Sequence, residues 1–173
     1  MPFFVKLCDA LAHVSAALAG LCLGLLVLLD GSEIVLRSFF ATSLPFVVEY
    51  NGYLLAVVLL GGCAQALNEG AHIRVTMLPQ ALSAHAAKAL DVGCTVAGIG
   101  LAFYLCAAVT ILAYGSFQYG TVSFYGTATP LVYPQAAGAL MLGIFVLSLI
   151  ARLVRLLLGL EPQRPAAAID GAH

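Results

Sequence analysis

The apolar positions of this chain form long uninterrupted runs and do not alternate with polar positions. Residues 10–29 carry no charged side chain, residues 50–68 carry none, and residues 92–151 form an uncharged run of 60 residues. A helix of about 20 residues, rising about 1.5 Å per residue, crosses the roughly 30 Å of hydrocarbon in a bilayer. The longest run has room for two such helices, because glycines and prolines between residues 115 and 134 mark a turn inside it.

This pattern predicts an all-α integral membrane protein with four transmembrane helices, at about residues 10–36, 47–67, 86–114 and 131–157. Backbone groups find no water in lipid, and a continuous helix satisfies them internally. The short alternating segments of a membrane β-barrel are missing from these runs. We expect residues 1–160 to form one four-helix domain, and the Pro- and Ala-rich residues 161–173 to form a disordered cytoplasmic tail.

Composition agrees with a membrane location and removes one class of partner. Hydrophobic residues make up 62% of the chain and charged residues 9%, whereas soluble domains carry about 25% charged residues. The chain has no block of basic residues that would offer a footprint for nucleic acid. A nucleic-acid partner is therefore excluded.

The distribution of basic residues predicts the orientation. Among the seven basic residues, Arg37 alone falls in a connection on the predicted outer side. The others lie in the N-terminal segment, the second connection and the C-terminal end: Lys6, Arg74, Lys88, Arg152, Arg155 and Arg164. Because basic residues concentrate in cytoplasmic loops, both termini are predicted to be cytoplasmic. The uncharged outer connection instead carries tyrosines typical of an interfacial belt: Tyr114, Tyr119, Tyr125 and Tyr133.

Few residues within the predicted spans are capable of chemistry. His13 is the single histidine in a span, whereas a membrane b-type haem usually needs two facing imidazoles. The five cysteines form no CxxC pair, so neither a disulfide framework nor a zinc site is expected. No ionisable residue is predicted near the bilayer centre, where transporters usually hold their ion or substrate sites. The sequence thus predicts no catalytic residue, metal or cofactor, and favours a scaffold or accessory subunit that is not an enzyme.

Two segments carry a resemblance to a known family. Glu49-Tyr-Asn-Gly-Tyr-Leu-Leu opens the second span, and Gly62 is followed ten residues later by His72-Ile73-Arg74-Val75. This pattern resembles the small, DctQ-type membrane subunit of tripartite ATP-independent periplasmic (TRAP) transporters. That family has an Arg after helix 1, a Trp and Glu pair opening helix 2, a late Gly and then His-Ile-x-Val. Arg37 completes the match, but this chain has no Trp, so residues 46–48 replace the usual aromatic.

The resemblance implies a small scaffold subunit of a secondary transporter that imports a small organic solute, expected to be a carboxylate, together with sodium. The implied partners are a large DctM-type permease subunit, which holds the substrate and sodium sites, a periplasmic solute-binding protein and membrane lipid. The implied location is the inner membrane of a bacterial or archaeal cell, with both termini cytoplasmic. The candidate subunit-interface or structural residues are Arg37, Glu49, Gly62, Gly70, His72, Ile73 and Arg74.

Two structural hypotheses concern particular residues. Arg37 and Glu49 lie near the same membrane boundary, where they either pair with each other or are solvated separately. Small residues also recur four positions apart, which allows close helix contact in lipid. These pairs either pack the helices of one bundle or offer a face to another protein: Gly20 and Gly24, Gly93 and Ala97, Ala139 and Gly143.

Two other functions compete with the transporter subunit. A membrane-anchor or haem subunit of a respiratory complex also has several apolar helices, and a haem absorbance band would identify it. A four-helix exporter that works alone needs a membrane-buried carboxylate, for which Glu49 lies too near the start of a helix.

Overall fold

The described part of the chain consists of four long helices. A computed structural model describes residues 3–69 and 84–159, which form α1 (Phe3–Phe40), α2 (Phe46–Asn68), α3 (Ala84–Tyr119) and α4 (Val132–Leu157). Within these residues the sole β-type pairing is an isolated bridge between Val122 and Pro130. All four helices are long and apolar enough to cross a membrane. The predicted all-α fold with four membrane-spanning helices is confirmed, and the tail at 161–173 lies outside the described residues.

Helices α1 and α3 extend beyond their predicted limits. In α1, Glu33 and Arg37 lie one turn apart and form an ion pair of 3.2 Å, which supports the helix past the predicted end at residue 36. The helix ends where Ala41 takes a positive φ of 50°. Helix α3 continues to Tyr119 and ends at Gly120, whose φ of 59° is the left-handed conformation common after helix ends. The uncharged runs of the sequence locate the spans, whereas the backbone conformation after each helix sets where it ends.

Helix α4 is the centre of the bundle. It packs against α1, α2 and α3, and α1 also packs against α2. Helix α3 approaches α4 alone, with no close backbone approach to α1 or α2 among the described residues. A cluster of buried apolar side chains joins Leu67 of α2, Ala102 of α3, and Val146 and Leu149 of α4. The outer faces of these helices carry many exposed leucines, valines and phenylalanines, which suits contact with lipid.

Among the glycines that the structure describes, Gly61 of α2 has the tightest surroundings. A Cβ atom at this position would lie 3.1 Å from the Ser15 carbonyl oxygen, 3.3 Å from the Ala19 Cβ and 3.3 Å from the Met141 sulfur. The Ser15 hydroxyl, which is buried, donates a hydrogen bond of 3.0 Å to the Gly61 carbonyl oxygen. The missing side chain therefore allows α1, α2 and α4 to meet at one point.

The glycines of the small-residue pairs, which are candidates for helix contact, do not lie at a close contact like that of Gly61. A Cβ atom added at Gly20, Gly24, Gly93 or Gly143 would meet no other atom within 4 Å. The same is true of Gly62, the glycine singled out by the family resemblance. Within the bundle, the close contact belongs to the neighbouring Gly61 instead.

We predict that Gly61→Leu destabilises the bundle, whereas Gly62→Leu does not. Both substitutions gain the same helix propensity, but the larger side chain at position 61 meets the α1 backbone, at an expected cost of about 1–3 kcal/mol. The thermal midpoint of the purified protein in detergent or nanodiscs measures the effect. Equal midpoints for the two variants would contradict the tight three-helix contact.

Candidate functional site

Polar side chains gather at the two ends of the bundle. One end is formed by the last turns of α1 and α3, the first turns of α2 and α4, and the connection at residues 120–131; we refer to it as the hairpin end. The other end contains the start of α1 and the end of α4 and is called the terminal end. Between these two ends, residues 10–29 of α1 and residues 92–119 of α3 carry no charged side chain.

Glu49 is the central residue of the hairpin end. It lies in the first turn of α2 and is only 3% exposed. The Tyr53 hydroxyl donates to its Oε1 at 2.8 Å, and the Thr127 hydroxyl donates to its Oε2. The Glu49 carboxylate is thus held by neutral hydroxyl donors, one of which comes from the connection between α3 and α4.

That connection, which we name the hairpin connection (120–131), is held in one shape by its own hydrogen bonds. The Ser123 N–H donates to the Thr129 carbonyl at 2.8 Å, and the Leu131 N–H donates to the Thr121 carbonyl at 3.1 Å. Ala128 takes a positive φ of 47°, which costs a non-glycine residue about 1 kcal/mol or more. The surrounding bonds hold this conformation, which places the neighbouring Thr127 against Glu49.

Arg37 pairs with Glu33 and not with Glu49. The Glu33 carboxylate also accepts hydrogen bonds from the Ser43 hydroxyl at 2.6 Å and from the Leu44 N–H at 2.7 Å. The hypothesis of an Arg37–Glu49 pair is therefore wrong: one acidic residue organises the turn between α1 and α2, and the other binds the hairpin connection. The Arg37 side chain is 71% exposed, so its own contribution to stability is expected to be small.

A second tie between α1 and α2 lies one turn further into the bundle. The Asn51 side-chain amide donates to the Asp30 carboxylate, although the two residues are far apart in sequence. Neither residue stood out in the sequence, because an isolated acidic residue near a helix end is more often solvated. In a lipid environment, a hydrogen bond between polar side chains of two helices favours contact between these helices.

Two ion pairs fasten α4 at the terminal end. The buried Arg155 guanidinium pairs with Asp9 of α1, and Arg152 pairs with Asp91 of α3 at 2.6 Å. The sequence predicts for both arginines only a role in setting the orientation. In the structure each one also bridges α4 to another helix, and removing Asp9, the partner of the buried Arg155, is expected to cost about 3–5 kcal/mol.

His13 belongs to a chain of polar contacts between α1 and α2. Its Nδ1 lies 2.8 Å from the Asp9 carbonyl oxygen, which can only accept, so Nδ1 carries the proton. Nε2 then accepts from the Gln65 amide at 3.4 Å, and that amide also donates to Glu69 at 2.7 Å. The described residues contain no group of three or more His, Cys, Asp or Glu side chains placed to hold a metal ion.

The predicted candidate residues are not brought together into one site. Arg37 and Glu49 lie at the hairpin end in separate contacts, and Gly62 lies near the middle of α2 with open space around it. The remaining candidates lie outside the described residues: Gly70, His72, Ile73 and Arg74.

We predict that Thr127→Val loosens the hairpin connection. The change keeps the side-chain shape but removes a donor to the buried Glu49 carboxylate, an expected loss of about 1–3 kcal/mol. Amide hydrogen exchange in residues 120–131 should become about 10-fold faster or more. Thr121→Val, at an exposed position of the same connection, is the matched control. Equal exchange in the two variants would contradict the role assigned to Glu49.

Comparison with known proteins places this arrangement in a family. No curated protein sequence and no solved structure matches the chain significantly. Residues 25–159, from the middle of α1 to just beyond α4, match the family described as tripartite ATP-independent periplasmic transporters, DctQ component. The match covers well over half of the chain and includes the residues of the hairpin end and the Asp91–Arg152 pair of the terminal end. The chain therefore belongs to the DctQ family, the small membrane component of TRAP transporters.

Proposed function

We propose that this chain is the stationary scaffold subunit of a sodium-driven importer of a small organic solute, with a carboxylate as the expected substrate class. Its proposed partners are a large DctM-type permease subunit and a periplasmic solute-binding protein. The proposed location is the inner membrane of a bacterial or archaeal cell. Membership in the DctQ family is the observation that carries this proposal.

The geometry of the helices supports a scaffold and not a transport pathway. Transporters commonly build their substrate and ion sites at the bilayer midplane from interrupted helices and ionisable side chains. Here each of the four described helices is continuous over its whole length. The three ion pairs at the ends of the bundle join helices or support the end of α1. The substrate and sodium sites are accordingly assigned to the large subunit.

The asymmetry of the bundle supports a partner within the membrane. Among the described residues, the backbone of α3 comes close to α4 alone, and most of the circumference of α3 faces outward. Its exposed side includes both small and large residues, among them Gly93, Gly100, Phe103 and Tyr104. A surface that mixes small and bulky side chains suits packing against further transmembrane helices.

We further propose that both termini are cytoplasmic and the hairpin end faces outward. The ion pairs of Arg152 and Arg155 place two basic residues at the terminal end, as the distribution of basic residues in cytoplasmic regions requires. The hairpin end carries Arg37 as its basic residue within the described chain. This imbalance supports the proposed orientation.

Cysteine labelling tests the orientation. In a variant lacking the five native cysteines, Phe124→Cys at the exposed hairpin connection should react with an impermeant maleimide added outside intact cells. Ala84→Cys at the start of α3 should react only after the membrane is opened. The opposite pattern would overturn the proposed orientation.

Uptake and assembly together test the scaffold role. In proteoliposomes with a sodium gradient, the large subunit and binding protein should import solute only when this chain is present. We expect His72→Ala and Arg74→Ala to reduce co-purification of the large subunit and uptake in parallel, because these residues are proposed for assembly. An intact complex whose apparent affinity for solute falls about 10-fold would instead place these residues in the transport path.

A further inference from the structure

Polar atoms without partners lie beside the chain of contacts that links His13 of α1 to α2. Among the described residues, the buried Gln65 Oε1 atom accepts no hydrogen bond. One turn later in α2, Asn68 is 5% exposed, and neither its Oδ1 nor its Nδ2 has a partner. Buried polar atoms without a hydrogen bond cost free energy, and native proteins contain few of them. Gln65 and Asn68 are therefore candidates for a second arrangement in which these atoms pair.

The direction of every hydrogen bond in the chain of contacts is fixed by its two ends. The Asp9 carbonyl oxygen can only accept, so His13 Nδ1 donates to it at 2.8 Å. The Glu69 carboxylate accepts from Gln65 Nε2 at 2.7 Å. Gln65 Nε2 also lies 3.4 Å from His13 Nε2, which is an acceptor only in the neutral imidazole. The observed chain of contacts therefore requires a neutral His13.

A proton on His13 Nε2 makes this arrangement unfavourable. The imidazolium has two donors and no acceptor, so its new N–H group faces the Gln65 NH2 group, donor against donor. Turning the Gln65 amide about its last side-chain bond exchanges Nε2 and Oε1, which brings an acceptor to His13. The same turn removes the NH2 group from the Glu69 carboxylate, because Oε1 cannot donate to it.

Asn68 offers the turned amide a partner on its buried side. Residues three apart on a helix are neighbours on its surface, and both Gln65 and Asn68 have buried polar atoms. After the turn, Gln65 Nε2 takes the buried place of Oε1, and the Asn68 Oδ1 atom is an acceptor without a donor. Each arrangement thus contains a hydrogen bond that the other lacks, to Glu69 in one and to Asn68 in the other.

We propose that His13, Gln65 and Asn68 form a proton-operated switch that releases the Glu69 carboxylate at the end of α2. The proton comes from solvent, which the exposed His13 side chain can meet, and no covalent bond other than the new N–H changes. Histidine side chains ordinarily change charge between about pH 5 and 8. Because Glu69 is the C-cap residue of α2, the switch acts at the point where this helix ends.

The groups that influence the charge of His13 differ from the group that transmits it. Ionisable side chains around this chain of contacts come from three helices: Lys6, Cys8 and Asp9 of α1, Glu69 of α2, and Arg155 of α4, which pairs with Asp9. Among the described residues, α3 has no close backbone approach to α1. The fields of these groups affect how readily His13 binds a proton. The reversal of the hydrogen bonds instead depends on Gln65, the side chain that contacts His13 Nε2.

Nuclear magnetic resonance of the full chain in nanodiscs tests the switch during a titration from about pH 8 to about pH 5.5, the range in which histidine changes charge. We expect the signals of the Gln65 side-chain amide and of the Glu69 carboxyl carbon to shift along the same curve as the His13 ring nitrogens. His13→Gln keeps an acceptor on this side chain but cannot titrate, so both shifts should be lost in this variant.

Gln65→Met separates the relay from a direct effect of charge. The methionine side chain has a similar length but no amide, so His13 should still titrate while the matching shift at Glu69 is lost. Gln135→Met is the matched control, because Gln135 of α4 also has a buried Oε1 without a partner. It should leave the shifts of Gln65 and Glu69 as they are in the wild type.

Other outcomes of the titration overturn defined parts of the proposal. A Glu69 signal that still follows His13 in Gln65→Met shows a direct charge effect and overturns the relay. Gln65 amide signals that stay constant while His13 titrates overturn the turning of the amide. Asn68→Leu should reduce the Gln65 shift, because the turned amide loses its acceptor; an unchanged shift in this variant overturns the role of Asn68.

Discussion

Apolar side chains gain no hydrophobic free energy when they move from lipid into the protein interior, and the rest of this structure depends on that constraint. In water, burial of apolar surface would hold four such helices together; in a bilayer, cohesion must come from close packing and from polar contacts. The chain supplies the first at Gly61, where three helices meet, and the second at the two ends of the bundle. Its middle can therefore be almost entirely apolar without losing a defined arrangement.

The ends of the bundle also connect helices that do not approach each other. Among the described residues, the backbone of α3 comes close to α4 alone, so little along its length would keep it from pivoting about α4. The hairpin connection prevents this, because Thr127 binds Glu49 of α2 beyond the end of α3. At the other end, Asp91 of α3 is held by Arg152 of α4. Packing along α4 and contacts at both ends together fix α3, which suits a subunit whose proposed task is to stay still.

The number and approximate position of the helices could be predicted because charge-free runs are a direct consequence of the bilayer. It was harder to predict which side chain each charged residue contacts. The short sequence separation of Arg37 and Glu49 allows a pair between them, but Glu33 lies one helical turn from Arg37 and forms the ion pair instead. Glu49 depends on a hydroxyl from a connection far away in sequence, and a Thr in a loop gives no distinctive signal. Gly61 and Gly62 are adjacent in sequence, so only the rotation of α2 decides which one meets α1.

One ion pair, between Asp91 and Arg152, can be predicted from the sequence. Asp91 and Arg152 flank the uncharged run at residues 92–151 on its two sides. If such a run folds as two antiparallel helices, its flanking residues return to the same membrane depth. Opposite charges at equal depth, with lipid on one side, gain more from pairing than they would in water, because the surrounding dielectric is lower. The observed contact between these two residues follows from that geometry. The same reasoning extends to any membrane hairpin whose uncharged run is bounded by an acid at one end and a base at the other.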